Sequence, residues 1–79
     1  MKFVYFCTSG ASDPTKASIP FHMAVNGSVE AGQEAAIILA GDGAEVVLGD
    51  NIQTIQGLGL PPMSELIEKA RAKGVPVYI

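Results

Sequence analysis

A small α/β fold built around a parallel sheet is what this chain of 79 residues predicts. Three short runs, Lys2–Cys7, Glu34–Ala40 and Val75–Ile79, are apolar at nearly every position. Strands covered on both faces read this way, and such strands belong to parallel sheets. The segments between them are long enough to cross back and carry helical spacing, so neighbouring strands should run parallel through right-handed crossovers. Glycines stand where each helix should hand over to a strand, Gly32 before the second run and Gly74 before the third.

In the first run, Phe3 and Tyr5 alternate with Val4 and Phe6, which leaves both faces apolar. Thr8-Ser9-Gly10-Ala11-Ser12 is then a small-residue turn. Asp13-Pro14 opens a helix, because an aspartate caps free N–H groups and proline fits the first helical position. This helix should run to about Ala31, with Ala17, Phe21, Ala24, Val25 and Ser28 on its buried face. Pro20 removes a hydrogen bond to Lys16. Either the first turn is irregular or the regular helix begins near Ser18.

After the second strand, Gly41-Asp42-Gly43 reads as a sharp turn and Ala44–Leu48 as a short helix. Asn51–Gln56 adds another turn or more, and Gly57-Leu58-Gly59-Leu60 breaks it. Pro61-Pro62 leads into a helix from Met63 to Lys73, with Met63, Leu66, Ile67 and Ala70 inward and Glu65 paired with Lys69 one turn on. Val75–Ile79 is the third strand. The order is βαβ(α)αβ, in one domain spanning residues 1–79. It predicts a flavodoxin-like parallel sheet with strand order 2-1-3, the first strand central and helices on both faces.

Composition narrows the function classes. The net charge is −3, and the basic residues are Lys2, Lys16, Lys69, Arg71 and Lys73. The last three fall in one helix end, where they complement its dipole, so no nucleic-acid face is expected. Hydrophobic residues make up 48% of the chain and charged ones 16%, yet no run reaches the ~20 apolar residues of a membrane span. The surplus apolar surface points to subunit interfaces. One cysteine, Cys7, excludes an internal disulfide, and Cys7 with His22 is too few soft ligands for zinc, so no metal or other cofactor is expected.

Candidate chemistry gathers where the strands end. Thr8, Ser9 and Gly10 precede a helix N-terminus and Asp42 sits in the neighbouring turn, so these four residues are the candidate ligand contacts, for a small anion or a partner's loop. An ordinary βα turn, with Asp42 bonding its own backbone, explains the same residues without a ligand. Cys7 reads as a small buried hydrophobe, with a reactive thiol as its alternative. His22 reads as a solvated or hydrogen-bonded helix residue without a second base or nucleophile beside it. No catalytic residue is assigned.

The succession Asp13-Pro14-Thr15-Lys16-Ala17, Glu30-Ala31-Gly32-Gln33-Glu34, Ile37-Ile38-Leu39-Ala40-Gly41-Asp42-Gly43-Ala44-Glu45, Gly59-Leu60-Pro61-Pro62-Met63-Ser64-Glu65-Leu66 and Lys73-Gly74-Val75-Pro76-Val77 resembles the DsrE/DsrF-like family of sulfur-relay proteins. The resemblance covers nearly the whole chain. It implies a flavodoxin-like fold, a cytoplasmic setting, homo-oligomers (trimers or hexamers) or related sulfur-relay subunits as partners, and sulfurtransferase activity through a cysteine persulfide. The family's sulfur-accepting cysteine follows the strand that matches Val75–Ile79, so that residue is expected beyond Ile79, and Cys7 does not take its role. Two accounts of the end at Ile79 follow. The chain is incomplete at its C-terminus, which is the expectation, or it is a short relative acting as a non-catalytic binding or scaffold subunit.

Overall fold

The computed structural model describes residues 2–79. Strand β1 (Lys2–Cys7) leads to α1 (Pro14–Met23), which continues as a π-helix over Ala24–Ser28. Strand β2 (Glu34–Leu39) follows, then a 3₁₀ helix (Gly41–Val47), a single turn α2 (Asn51–Thr54), α3 (Met63–Ala72) and the two-residue strand β3 (Val77–Tyr78). The sheet is all-parallel and open. β1 pairs with β2 through Lys2↔Glu34 to Cys7↔Leu39, and β2 pairs with β3 through Ile37↔Val77 and Ile38↔Tyr78.

The strand order is therefore 1-2-3, not 2-1-3, and β2 is the central strand. The expectation of helices on both faces falls with it. Crossovers of one hand that step across a sheet in one direction lay their helices on one face, and only a reversal of direction fills the other. Here both crossovers step the same way. Ala17, Phe21, Ala24 and Val25 of the first helical segment and Met63, Leu66 and Ala70 of α3 share one core with Cys7, Ala35, Ile37 and Leu39. Odd-numbered positions of β1 and β2 face this core. The even-numbered positions face away, and there Val4 is 48% exposed, Phe6 61% and Tyr78 56%. β1 is thus an edge strand with one face open, not a strand buried on both sides. The thinnest Cα extent, 18 Å, is that of two layers.

The helix termini follow local chemistry. Asp13 caps α1: its Oδ1 accepts from the Lys16 N–H at 3.1 Å. The helix starts at Pro14, which settles the alternative raised by Pro20. The missing Pro20 N–H leaves the Lys16 carbonyl without its helical donor, and Lys16 lies on the exposed side of the helix. In the π-helix the Val29 N–H reaches back to the Ala24 carbonyl at 3.1 Å. This widened turn buries Ala24, Val25 and Ser28 and directs Asn26 toward α3. The Tyr5 hydroxyl and Ser28 Oγ meet at 2.5 Å, tying β1 to that turn. Gly74, at φ +73°, ends α3. Fully burying Phe21, Met63 and Leu66 contributes about 1.5–3 kcal/mol each, which makes them the principal anchors of the helices.

Two expectations shift after β2. The turn at Gly41-Asp42-Gly43 is the start of the 3₁₀ helix, and no separate helix begins at Ala44. Glu65 is not the partner of Lys69; Lys69 Nζ lies 2.9 Å from Glu30 Oε1, and Lys73 Nζ lies 3.6 Å from the same oxygen. Glu30 sits at the end of the widened turn, so it reaches both lysines of the last turns of α3. The Lys69 hydrogen bond and charge, with help from Lys73, hold its carboxyl below the usual range.

The loops that follow β1 and β2 meet without spare room. The Ala40 N–H donates to the Cys7 carbonyl at 3.0 Å, and a Cβ at Gly43 would run into that same carbonyl. Gly27, by contrast, has open space around it. Gly43→Ala should lower stability by about 2 kcal/mol or more, while Gly27→Ala should raise it by about 0.5–1 kcal/mol. Urea denaturation of both variants checks this pair; equal midpoints would contradict the close contact at Gly43.

Candidate functional site

The carboxyl ends of β1 and β2 bring the four sequence candidates to one edge. Thr8 and Asp42 are exposed, Ser9 is half-buried and Gly10 is buried. A Cβ on Gly10 would meet the Glu45 carboxylate and stand 2.6 Å from the Asp42 carbonyl. The loop after β1 is therefore packed directly against the 3₁₀ helix. The Gly10 carbonyl accepts from the Asp13 N–H at 3.1 Å, and the Gly43 N–H donates to the Ala40 carbonyl at 2.9 Å. At this edge the N–H groups of Asp13 and Gly43 are spent on the loops' own backbone. Across the first turn of α1 lies the Gly57-Leu58 loop, whose Leu58 N–H donates to Thr15 Oγ1 at 3.0 Å. Asp13, Asp42 and Glu45 make this edge rich in acceptors. It suits a partner that brings N–H groups better than it suits an anion. Among the described residues, no three His, Cys, Asp or Glu side chains gather to hold a metal ion.

Cys7 closes β1 beneath α1 and is fully buried. Its sulfur lies 3.4 Å from the Ser9 carbonyl and 3.5 Å from the Ala17 carbonyl, and the thiol can donate to either. Burial holds the thiol above its usual range, offset in part by the contact with Ser9. The surroundings favour S–H over thiolate, the reverse of what a nucleophile needs.

A second arrangement lies between α1 and α3. His22, Asn26, Pro61, Glu65, Leu66 and Lys69 line a cleft of about 330 Å³. Asn26 Oδ1 accepts from Lys69 Nζ. Lysine is only a donor, so this contact fixes the amide with Nδ2 toward His22 Nδ1, 3.1 Å away. Nδ1 then accepts, and the ring proton sits on Nε2. Sequence reading singled out His22 but not Asn26 or Glu30. The signal was there: His22, Asn26 and Glu30 recur every four residues along one side of the helix. The cleft orients the imidazole ring through Asn26, yet no nucleophile stands beside it.

A second hollow, about 360 Å³, runs along the β3 edge between Val47, Ile52, Ile67, Val75, Val77 and Ile79 and is almost wholly apolar. No helix among the described residues is long and apolar enough to cross a membrane. Compared with known family models, curated proteins and solved structures, the chain matches none.

Two outcomes follow from this geometry. Because the folded thiol ionises above its unfolded value of about 8.5, the unfolded chain releases its proton first as pH rises. Cys7 thus contributes stability below that pH and loses the contribution above it. Stability should fall as pH rises above about 8.5 more steeply in the native chain than in Cys7→Ala, as read by denaturant midpoints. Side-chain ¹⁵N spectra of His22 at neutral pH should show the Nε2–H tautomer, and Asn26→Ala should release that preference. An Nδ1–H form in the native chain would contradict the Lys69–Asn26–His22 order.

Proposed function

We propose that this domain is a binding or scaffold subunit, working in a homo-oligomer, with no reaction carried on its own thiol. The observation that carries the reading is Cys7, sealed under α1 and kept as S–H by burial. A sulfur carrier or nucleophile works as thiolate and must meet its partner in solution. Two surfaces favour binding instead. The open sheet face presents Val4, Phe6 and Tyr78. The acceptor-rich strand ends, with Thr8, Ser9, Gly10 and Asp42, suit a partner's loop.

A second reading is sulfur relay of the DsrE type, in a cytoplasmic trimer or hexamer. The succession of parallel strands and helices favours it, since that is the order of elements the family resemblance implies. Under this reading the persulfide is carried by a cysteine other than Cys7, and the sheet is part of a flavodoxin-like one. The central position of β2 counts against that arrangement.

Thiol labelling followed by intact mass tests the first reading. Cys7 should react at least about 100-fold more slowly in the native protein than after unfolding, and the native mass should carry no additional sulfur. Rapid native labelling, or the mass of one further sulfur atom on Cys7, would overturn it.

A further inference from the structure

We propose that His22, Asn26 and Lys69 form a proton-sensitive latch between the first helical segment and α3, in which a proton taken up at His22 Nδ1 turns the Asn26 amide over and passes Lys69 from Asn26 to Glu30. The proposal is independent of the scaffold reading.

Each member of the latch has a fixed part. Lys69 Nζ only donates, so Asn26 turns Oδ1 toward it. Nδ2 of the same amide then faces His22 Nδ1, 3.1 Å away, and that nitrogen has to accept. An imidazole with its proton on Nε2 meets this demand. An imidazolium carries N–H on both ring nitrogens and accepts nothing. Two N–H groups would then point at each other across the same gap. His22, Asn26 and Lys69 are all half-buried, so a hydrogen bond left unmade among them costs more than it would in open solvent.

A half-turn of the Asn26 amide about its last side-chain bond removes the mismatch. Oδ1 then accepts from the His22 Nδ1–H, and Nδ2 comes to the Lys69 side. The amide offers no acceptor there, so the lysine needs another. Glu30 supplies it: Oε1 already lies 2.9 Å from Lys69 Nζ and 3.6 Å from Lys73 Nζ. The Lys69 hydrogen bond and charge, with help from Lys73, hold the Glu30 carboxyl below its usual range, so it is an ionised acceptor where an imidazole changes charge. The latch therefore has a complete hydrogen-bond pattern for each charge state of the ring, and the two patterns differ by one amide turn.

The charges around the ring suit the exchange. α3 brings Glu65 and Lys69 to the cleft wall, and the far end of the widened turn brings Glu30. Residues 18–26 around His22 and the segment 57–62 opposite carry no further Asp, Glu, Lys or Arg. Glu65 pairs with no lysine or arginine among the described residues, which leaves a carboxylate in the cleft to balance an imidazolium. After the exchange Lys69 ties α3 to the first helical segment through Glu30 alone, and its tie to Asn26 is gone.

A side-chain NMR titration of the full chain from about pH 8 to about pH 5 spans the charge change of an imidazole and tests this. The Asn26 amide and the Lys69 side-chain signals should both shift with the midpoint read from the His22 ring. In Asn26→Ala the Lys69 response at that midpoint should fall at least about 3-fold, and in His22→Gln the Asn26 amide should show no transition over the range. Backbone amide spectra that match the native chain away from the cleft show that each variant keeps the fold. An Asn26 amide that ignores the His22 midpoint in the native chain would overturn the proposal, whatever the variants do. So would a Lys69 response undiminished in Asn26→Ala, because the lysine would then sense the ring's charge directly through space. None of these outcomes bears on the labelling of Cys7, so failure of the latch leaves the scaffold reading where it stands.

Discussion

The pairing of β2 on both of its edges is the constraint on which the rest of this structure depends. β2 receives β1 over six residues and β3 over two, so it is paired along its whole length on one edge and at Ile37 and Ile38 on the other. Its Ala35, Ile37 and Leu39 then lie under the helices, and its Ala36 lies almost without exposure on the other face. Once β2 is central, both crossovers step in the same direction, and their helices must share one face. The opposite face is left to the even-numbered side chains of the strands. Its exposure is therefore a direct consequence of topology, and its apolar character comes from Val4, Phe6 and Tyr78.

The same constraint closes the strand ends. β1 and β2 stand side by side over their whole length, so the loops leaving them meet at once. The Cys7 carbonyl takes the Ala40 N–H and sits against Gly43, while Gly10 lies beneath Glu45. Close packing at this edge and the burial of Cys7 are one feature seen from two sides. What this edge leaves open is its rim of exposed acceptors. The polar chain Glu30–Lys69–Asn26–His22 does a different job, joining the widened end of the first helix to α3.

The elements themselves were legible in the residues. Asp13-Pro14, Gly32 and Gly74 mark helix ends by chemistry that acts within a few residues, and the inward sets Ala17, Phe21, Ala24, Val25 and Met63, Leu66, Ala70 follow helical spacing. Strand order was not legible. β1 and β2 are apolar on both faces alike, so pattern alone does not say which of them lies in the middle. The error in order carried the error in layers with it. Nor could spacing foresee that Lys69 would turn from Glu65 to Glu30, because the π-helix moves the end of the first helix. Of the site, the four strand-end residues do come to one edge, while the packing of Glu45 over Gly10 depends on a contact 35 positions apart in sequence, beyond the reach of local pattern.

The central claim, β2 between β1 and β3, is tested most directly by interstrand nuclear Overhauser contacts in the labelled protein. Backbone contacts should run from Ile37 to both Tyr5 and Val77, with none between Tyr5 and Val77. Backbone contacts linking Tyr5 directly to Val77 would place β1 in the centre, move a helix to the other face and contradict the account.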